Sequence, residues 1–269
     1  MQCLFCKQDS SDSRSFEHVI PESLGNRKYT LPPGVVCDKC NNYFSRKVEK
    51  PFLESAAILQ LRFHQEIPSK RGNIPSIHGI FAPNFPAIIH RDPNKYFIGI
   101  AQVEPESLKQ IVRLPKGMLI FPPGPPPSNL ILSRFLAKVA LEAMALSLIA
   151  FPEGLKYLVN EIQLDPIRNH ARRGETPDWP IHIRRIYDAG QKWIDEKGNE
   201  VQMVHEFDIL WTDWDEWFLV LAIFGLELVI NYGGPEIDGY EHWLSKNNYV
   251  SPLYCGKNIA ISPTMADNS

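Results

Sequence analysis

Hydrophobic residues from about position 129 to 150 recur on nearly every face of a helical projection, which predicts a helix at the centre of a core. Residues 51–66 mix apolar and polar positions at roughly helical spacing, with Pro51 suited to a first turn, and predict a second helix. A third helical stretch is expected from about Glu153 to Ile162. Strand-like runs occur at Tyr96–Ala101 and Met118–Phe121, and Ile181-His182-Ile183 alternates as a short strand does. Trp217 to Ile230 is almost continuously apolar. A buried strand pair and a buried helix both fit it, and periodicity does not arbitrate between them. Trp179-Pro180 and Tyr232-Gly233-Gly234-Pro235 interrupt the pattern, and residues 122–127 form a stiff proline-rich break. There is no internal repeat.

Of the 269 residues, 44% are hydrophobic and 22% charged, which excludes wholesale disorder. The formal net charge of -3 excludes nucleic-acid binding by a uniformly basic coat. Neither long apolar stretch predicts a membrane span: the first contains Arg134, Lys138 and Glu142, and the second is short and contains Glu227. The N-terminus has no basic region followed by an apolar one, so a soluble cytoplasmic protein is expected. In that reducing compartment, thiolates point to metal more often than to disulfides.

Charge and cysteine are unevenly spread. Residues 1–50 hold four of the five cysteines and eight basic against six acidic residues. We therefore expect two domains, 1–66 and 67–269, with a possible internal break near 122–128. Cys3-Leu-Phe-Cys6 and Cys37-Asp-Lys-Cys40 are two C-x-x-C knuckles. Each presents two thiolates on one tight turn, and together they complete a tetrahedral shell for zinc. Four protein thiolates leave no open coordination position, so the zinc is expected to be structural.

Between the knuckles lies Phe16-Glu17-His18-Val19-Ile20-Pro21, followed by Gly25-Asn26, and Asn41 comes directly after Cys40. The order C-x-x-C, Glu-His, C-x-x-C-Asn resembles the zinc-knuckle variety of the HNH (ββα-metal) endonucleases. The resemblance covers about the first fifty to sixty residues. It implies a small N-terminal zinc-bound ββα-metal module; with the helical and strand patterns downstream, the expected class is α+β, with a larger mixed α+β region around a central buried helix. It also implies that Glu17 and Asn41 hold a catalytic divalent cation, Mg²⁺ or Mn²⁺, and that His18 activates water. The substrate implied is DNA, most readily double-stranded, cut to 5′-phosphate and 3′-hydroxyl ends.

Neighbouring strand residues point to opposite faces, so Glu17 and His18 require a bulge or a strand end to serve one site. The family's usual middle Asn is missing from Tyr29–Val36, and Asn26 lies earlier. Arg27, Lys28, Arg46, Lys47 and Lys50 suit phosphate contacts, and equally suit a solvated basic face. Arg168, His170, Arg172 and Arg173 read as a solvated helix end with phosphate binding as the alternative. Glu206 to Trp217 is acidic and aromatic, and reads as a loop with anchored tryptophans or a surface for a protein partner or second subunit. Cys255 is expected to be a buried thiol. Similar nucleases with large C-terminal regions look like antiviral defence effectors. Two rival readings are a zinc-stabilised adaptor with an inert Glu-His pair, and an effector held inactive by its C-terminal region.

Overall fold

The computed structural model describes residues 1–92, 97–114, 116–174, 179–195 and 197–258. Helices and antiparallel sheets both contribute, so the class is α+β. The chain divides into two compact units, neither contiguous in sequence. The first comprises 1–21, 26–49 and 128–269; the second comprises 22–25 and 50–127. The cysteine-rich module shares its core with the C-terminal half, and 50–66 belongs to the other unit. The second division, at Pro127/Ser128, falls within the proline-rich segment.

In the first unit, β1 (Glu17–His18) pairs antiparallel with β2 (Thr30–Leu31), placing Glu17 opposite Leu31 and His18 opposite Thr30. Helix α1 (Asp38–Phe44) follows and continues into a π-helical turn over Ser45–Glu49. This is the β-β-α order that the resemblance implied. Val19, Ile20, Leu31, Val35 and Val36 are buried in it, and the Phe5 and Phe44 rings meet at 4.3 Å.

The expected core helix is α2 (Asn129–Leu148), with the Ser128 hydroxyl accepting a capping bond from the Ile131 amide. It is followed by α3 (Gly154–Asn160) and α4 (Asp165–Arg173). Strands β3 (His182–Arg185), β4 (His205–Trp211), β5 (Trp217–Ile223) and β6 (Leu226–Asn231) form a sheet in the order β4-β5-β6-β3. Every neighbouring pair in it is antiparallel. Helix α2 packs against β2 and the Ser45–Glu49 turn, and also against β5 and β6. Phe135, Leu136, Val139, Ala140 and Leu141 are fully buried as a result.

The apolar run from Trp217 to Ile230 is thus a hairpin. Phe218 to Ile223 are all buried, so both faces of β5 are covered and no alternation marks the strand. Phe224 and Gly225 form the turn with φ of +46° and +74°, the left-handed pair that a tight hairpin requires. A Cβ on Gly225 would stand 2.1 Å from the Tyr187 carbonyl, which selects glycine there. Phe218, Val220 and Val229 pack with Tyr240 and Leu244 of α5 (Asp238–Lys246).

The Glu206–Trp217 segment is corrected: half of it is strand β4, and residues 212–216 form the turn into β5. Trp211 stacks on its cross-strand neighbour Trp217 at 6.2 Å.

In the second unit, strands Phe97–Val103, Phe85–Asp92, Ile77–Phe81 and Leu119–Ile120 lie side by side in that order. Phe63, Ile74, Ile77 and Ile89 form its core. The helix expected over 51–66 is two pieces, Lys50–Leu53 and Ala56–His64, because Ser55 is extended (ψ 144°). Tyr96, the start of one expected strand run, lies outside the described residues.

Candidate nuclease site

The first knuckle is a tight turn. The Cys3 amide donates to the Gln8 carbonyl, the Lys7 amide donates to the Cys3 carbonyl, and Lys7 is left-handed at φ +57°. The second knuckle uses the start of α1: Cys37 is the N-cap residue, and its sulfur accepts from the Cys40 amide at 3.4 Å. The Cys37 amide in turn points at Cys3 Sγ, 3.3 Å away, joining the knuckles.

All four sulfurs lie within 4.8 Å of one another, and Cys6 Sγ and Cys37 Sγ are 3.7 Å apart. A tetrahedron with Zn–S of about 2.3 Å has an edge of about 3.8 Å, so the cluster fits a structural zinc. The hydrogen bond with Cys40 draws the Cys3 thiol down to about 4 against the push of burial. The same bond drives Cys40 up, and burial raises Cys37. Four crowded thiols cannot all ionise against one another, whereas a dipositive ion binds them as thiolates.

Glu17 and His18 occupy the two-residue strand β1, so both stand at a strand end. Glu17 is 4% exposed, and its Oε1 lies 2.8 Å from Lys138 Nζ. Among the described residues its Oε2 is buried without a hydrogen-bond partner, and so is His18 Nδ1. The His18 carbonyl accepts from Lys138 Nζ at 3.1 Å.

Asn26 is fully buried and uses its whole amide on the loop between the strands. Nδ2 donates to the carbonyls of Ile20 (2.7 Å) and Tyr29 (2.9 Å). Oδ1 accepts from the amides of Lys28 (3.0 Å) and Tyr29 (2.9 Å). This residue therefore pins the chain leaving His18.

Helix α1 is stitched to the entry of β1. Asn41 Nδ2 donates to the Phe16 carbonyl at 3.2 Å, and Asp38 Oδ1 accepts from the Ser15 amide at 2.9 Å. The Ser15 amide bond holds the Asp38 carboxyl below its ordinary range. Asp38 was not singled out from the sequence; an acid inside the second knuckle is the signal that marks it.

The basic residues separate into two groups. Arg27, Lys28, Arg46, Lys47 and Lys50 are exposed. The Arg168–Arg173 cluster is corrected in half: Arg168 is 2% exposed and pairs with Asp165 and the Leu158 carbonyl. His170 is fully buried, bonds Ser133 Oγ at 2.9 Å and packs on Trp179. Only Arg172 and Arg173 reach a cleft of about 770 Å³ beside the second knuckle, which Lys39 and Tyr43 also line. Cys255 is buried, and burial pushes its thiol up to about 12. Among the described residues, no helix is long and apolar enough to cross a membrane.

The first unit thus carries a β-β-α module closed by four cysteines, with Glu-His on its first strand and Asn on its helix, the order that the resemblance to zinc-knuckle HNH endonucleases implies. Residues 3–56 match the family model described as HNH endonuclease. The match spans about a fifth of the chain. The match makes this segment similar to a nuclease domain. No curated protein and no solved structure matches the chain.

Proposed function

We propose that this protein is a metal-dependent endonuclease that hydrolyses phosphodiester bonds of double-stranded DNA. The observation that carries the reading is the pair of buried, unpartnered atoms on β1, Glu17 Oε2 and His18 Nδ1. Unsatisfied buried polar atoms are costly, and they persist where a ligand or a reaction uses them. Glu17 Oε2 and the side-chain oxygen of Asn41 would hold the cation, and an oxygen donor set suits Mg²⁺ or Mn²⁺. That cation supplies charge stabilisation at the scissile phosphate and the leaving oxygen.

The chain's own residues do the rest. The His18 imidazole takes a proton from the attacking water as general base. Asn26 holds the loop after His18, and Asn41 holds α1 against Phe16, so the ring and the carboxylate keep a fixed relation to the helix. Exposed Arg46 and Lys47 follow on the same helical segment and contact phosphates. The products are 5′-phosphate and 3′-hydroxyl ends, and the protein works in the cytoplasm.

Plasmid cleavage by purified protein with Mg²⁺, Mn²⁺ or EDTA, beside His18→Ala, tests the reading. Metal-dependent nicking or linearisation that the variant loses is the expected result. DNA binding without cleavage by either protein would instead fit the inert adaptor.

A cavity of about 600 Å³ in the first unit favours a second, compatible reading. It is walled by Tyr157, Trp217 and Tyr232, and carries Glu161, Glu216 and Glu236. In this reading a ligand, a protein partner or a second copy acting on the C-terminal region releases the nuclease, as in a defence effector. Cleavage that appears only when cell extract is added supports it; full activity of the purified protein alone rejects it.

A further inference from the structure

Lys138 sits in the middle of α2 and is fully buried, 120 residues from His18 in sequence. Its Nζ lies 2.8 Å from each of Glu17 Oε1, Glu49 Oε1 and Glu142 Oε2, and 3.1 Å from the His18 carbonyl. An ammonium has three N–H groups, so four acceptors compete for three protons. Glu142 lies one turn along α2 itself, whereas Glu17 and Glu49 come from other elements, and the Lys138 ammonium bridges them.

Those two residues belong to the two halves of the candidate site. Glu17 is on β1 with His18, and Glu49 ends the turn that continues α1, which bears Asn41. We propose that Lys138 is a positioning residue for the nuclease: its ammonium fixes the Glu17 carboxylate through Oε1 and the strand through the His18 carbonyl. Oε2 is thereby left aimed for a cation, and α2 of the C-terminal region sets the site's geometry. The proposal rests on the nuclease reading above. It explains why the module shares one compact unit with 128–269.

A buried ion pair is often dispensable for stability: apolar residues of similar volume replace such pairs at little cost. Lys138→Met/Glu142→Leu removes the pair within α2 but leaves Glu17 and Glu49 without their cation, so the melting temperature is expected to fall. Zinc content and DNA affinity of the folded variant are expected to stay close to those of the unmodified protein. Single-turnover cleavage should fall by about a hundredfold, the scale of a misplacement near 1 Å, and Mn²⁺ affinity read by electron paramagnetic resonance should weaken. Lys138→Arg is the second variant. It keeps the charge that the carboxylates require, yet its planar fork cannot place one nitrogen at the point they share. It should fold, keep zinc and lose cleavage rate. Cleavage and Mn²⁺ affinity within twofold of the unmodified protein in either folded variant would overturn the proposal. An unmodified protein that neither cuts DNA nor binds Mn²⁺ would remove the nuclease reading itself, and the proposal with it.

Discussion

Asn26 Nδ2 donates to the Ile20 carbonyl at 2.7 Å, closing the loop that leaves the candidate base two residues earlier. The same side chain makes three further bonds, to Lys28 and to Tyr29 twice, so one buried amide determines the path between β1 and β2. Here the holding residue stands six positions after Ile20, before β2, and not just ahead of the second knuckle.

Asn26→Ala strands two buried carbonyls and two amides at once. Each unsatisfied buried group costs about 1–3 kcal/mol, and loop rearrangement recovers part of that. Denaturant unfolding should show a loss of a few kcal/mol, with cleavage reduced at least tenfold. Stability and activity both unchanged would mean that the loop is held by other contacts.

The zinc centre predicts a metal stoichiometry. Elemental analysis should find about one tightly bound zinc per chain. Cys37→Ser/Cys40→Ser removes half the ligand set and the helix-capping sulfur, so zinc should be lost and the module should unfold. A variant that retains full zinc would refute the four-cysteine assignment.

Arg46→Ala/Lys47→Ala removes two exposed cations from the helical segment that follows Asn41. Cleavage at saturating DNA should be preserved while affinity falls. The slope of log affinity against log salt should shrink by about 0.9 for each lost phosphate contact. An unchanged slope would assign these residues to a solvated face.

The pH dependence of stability has a defined sign at Asp165. Its ion pairs with Lys7 (2.6 Å) and Arg168 outweigh burial and hold its carboxyl below the ordinary range. The unfolded chain then binds more protons, so this contribution is complete above the unfolded value of about 3.9. It disappears as pH falls through the lower folded value. Asp165 is 40% exposed, so solvent screens it to under about 1 kcal/mol. Asp165→Asn should flatten the stability curve between about pH 5 and 3 and lower it slightly near neutrality, where the contribution is complete, so that the two proteins converge in acid. An equal slope in both proteins would show that the pairs do not couple to folding.

What the sequence determined by itself was local. Ligands three residues apart on one turn close by short-range backbone geometry, so Cys3, Cys6, Cys37 and Cys40 could be assigned as a cluster without a fold. Glu17, His18 and Asn41 stood out through the resemblance of their order around those knuckles to the HNH motif, and the apolar stretch at 129–148 announced a core helix through its lack of a polar face. The hairpin at 217–231 was not separable from a helix, because covering both faces of β5 erases the alternation that identifies a strand.

The remainder needed tertiary structure. A lysine and a glutamate in an apolar helix signal that partners exist, because an isolated buried charge is too costly to keep. Nothing local identifies Glu17, Glu49 and the His18 carbonyl as those partners, since chain separations of about 90 to 120 residues are bridged only by packing. The same packing joins the cysteine-rich module to residues 128–269 and assigns 50–127 to a unit of its own. Burial follows the complementarity of whole faces, which no window of neighbouring residues contains.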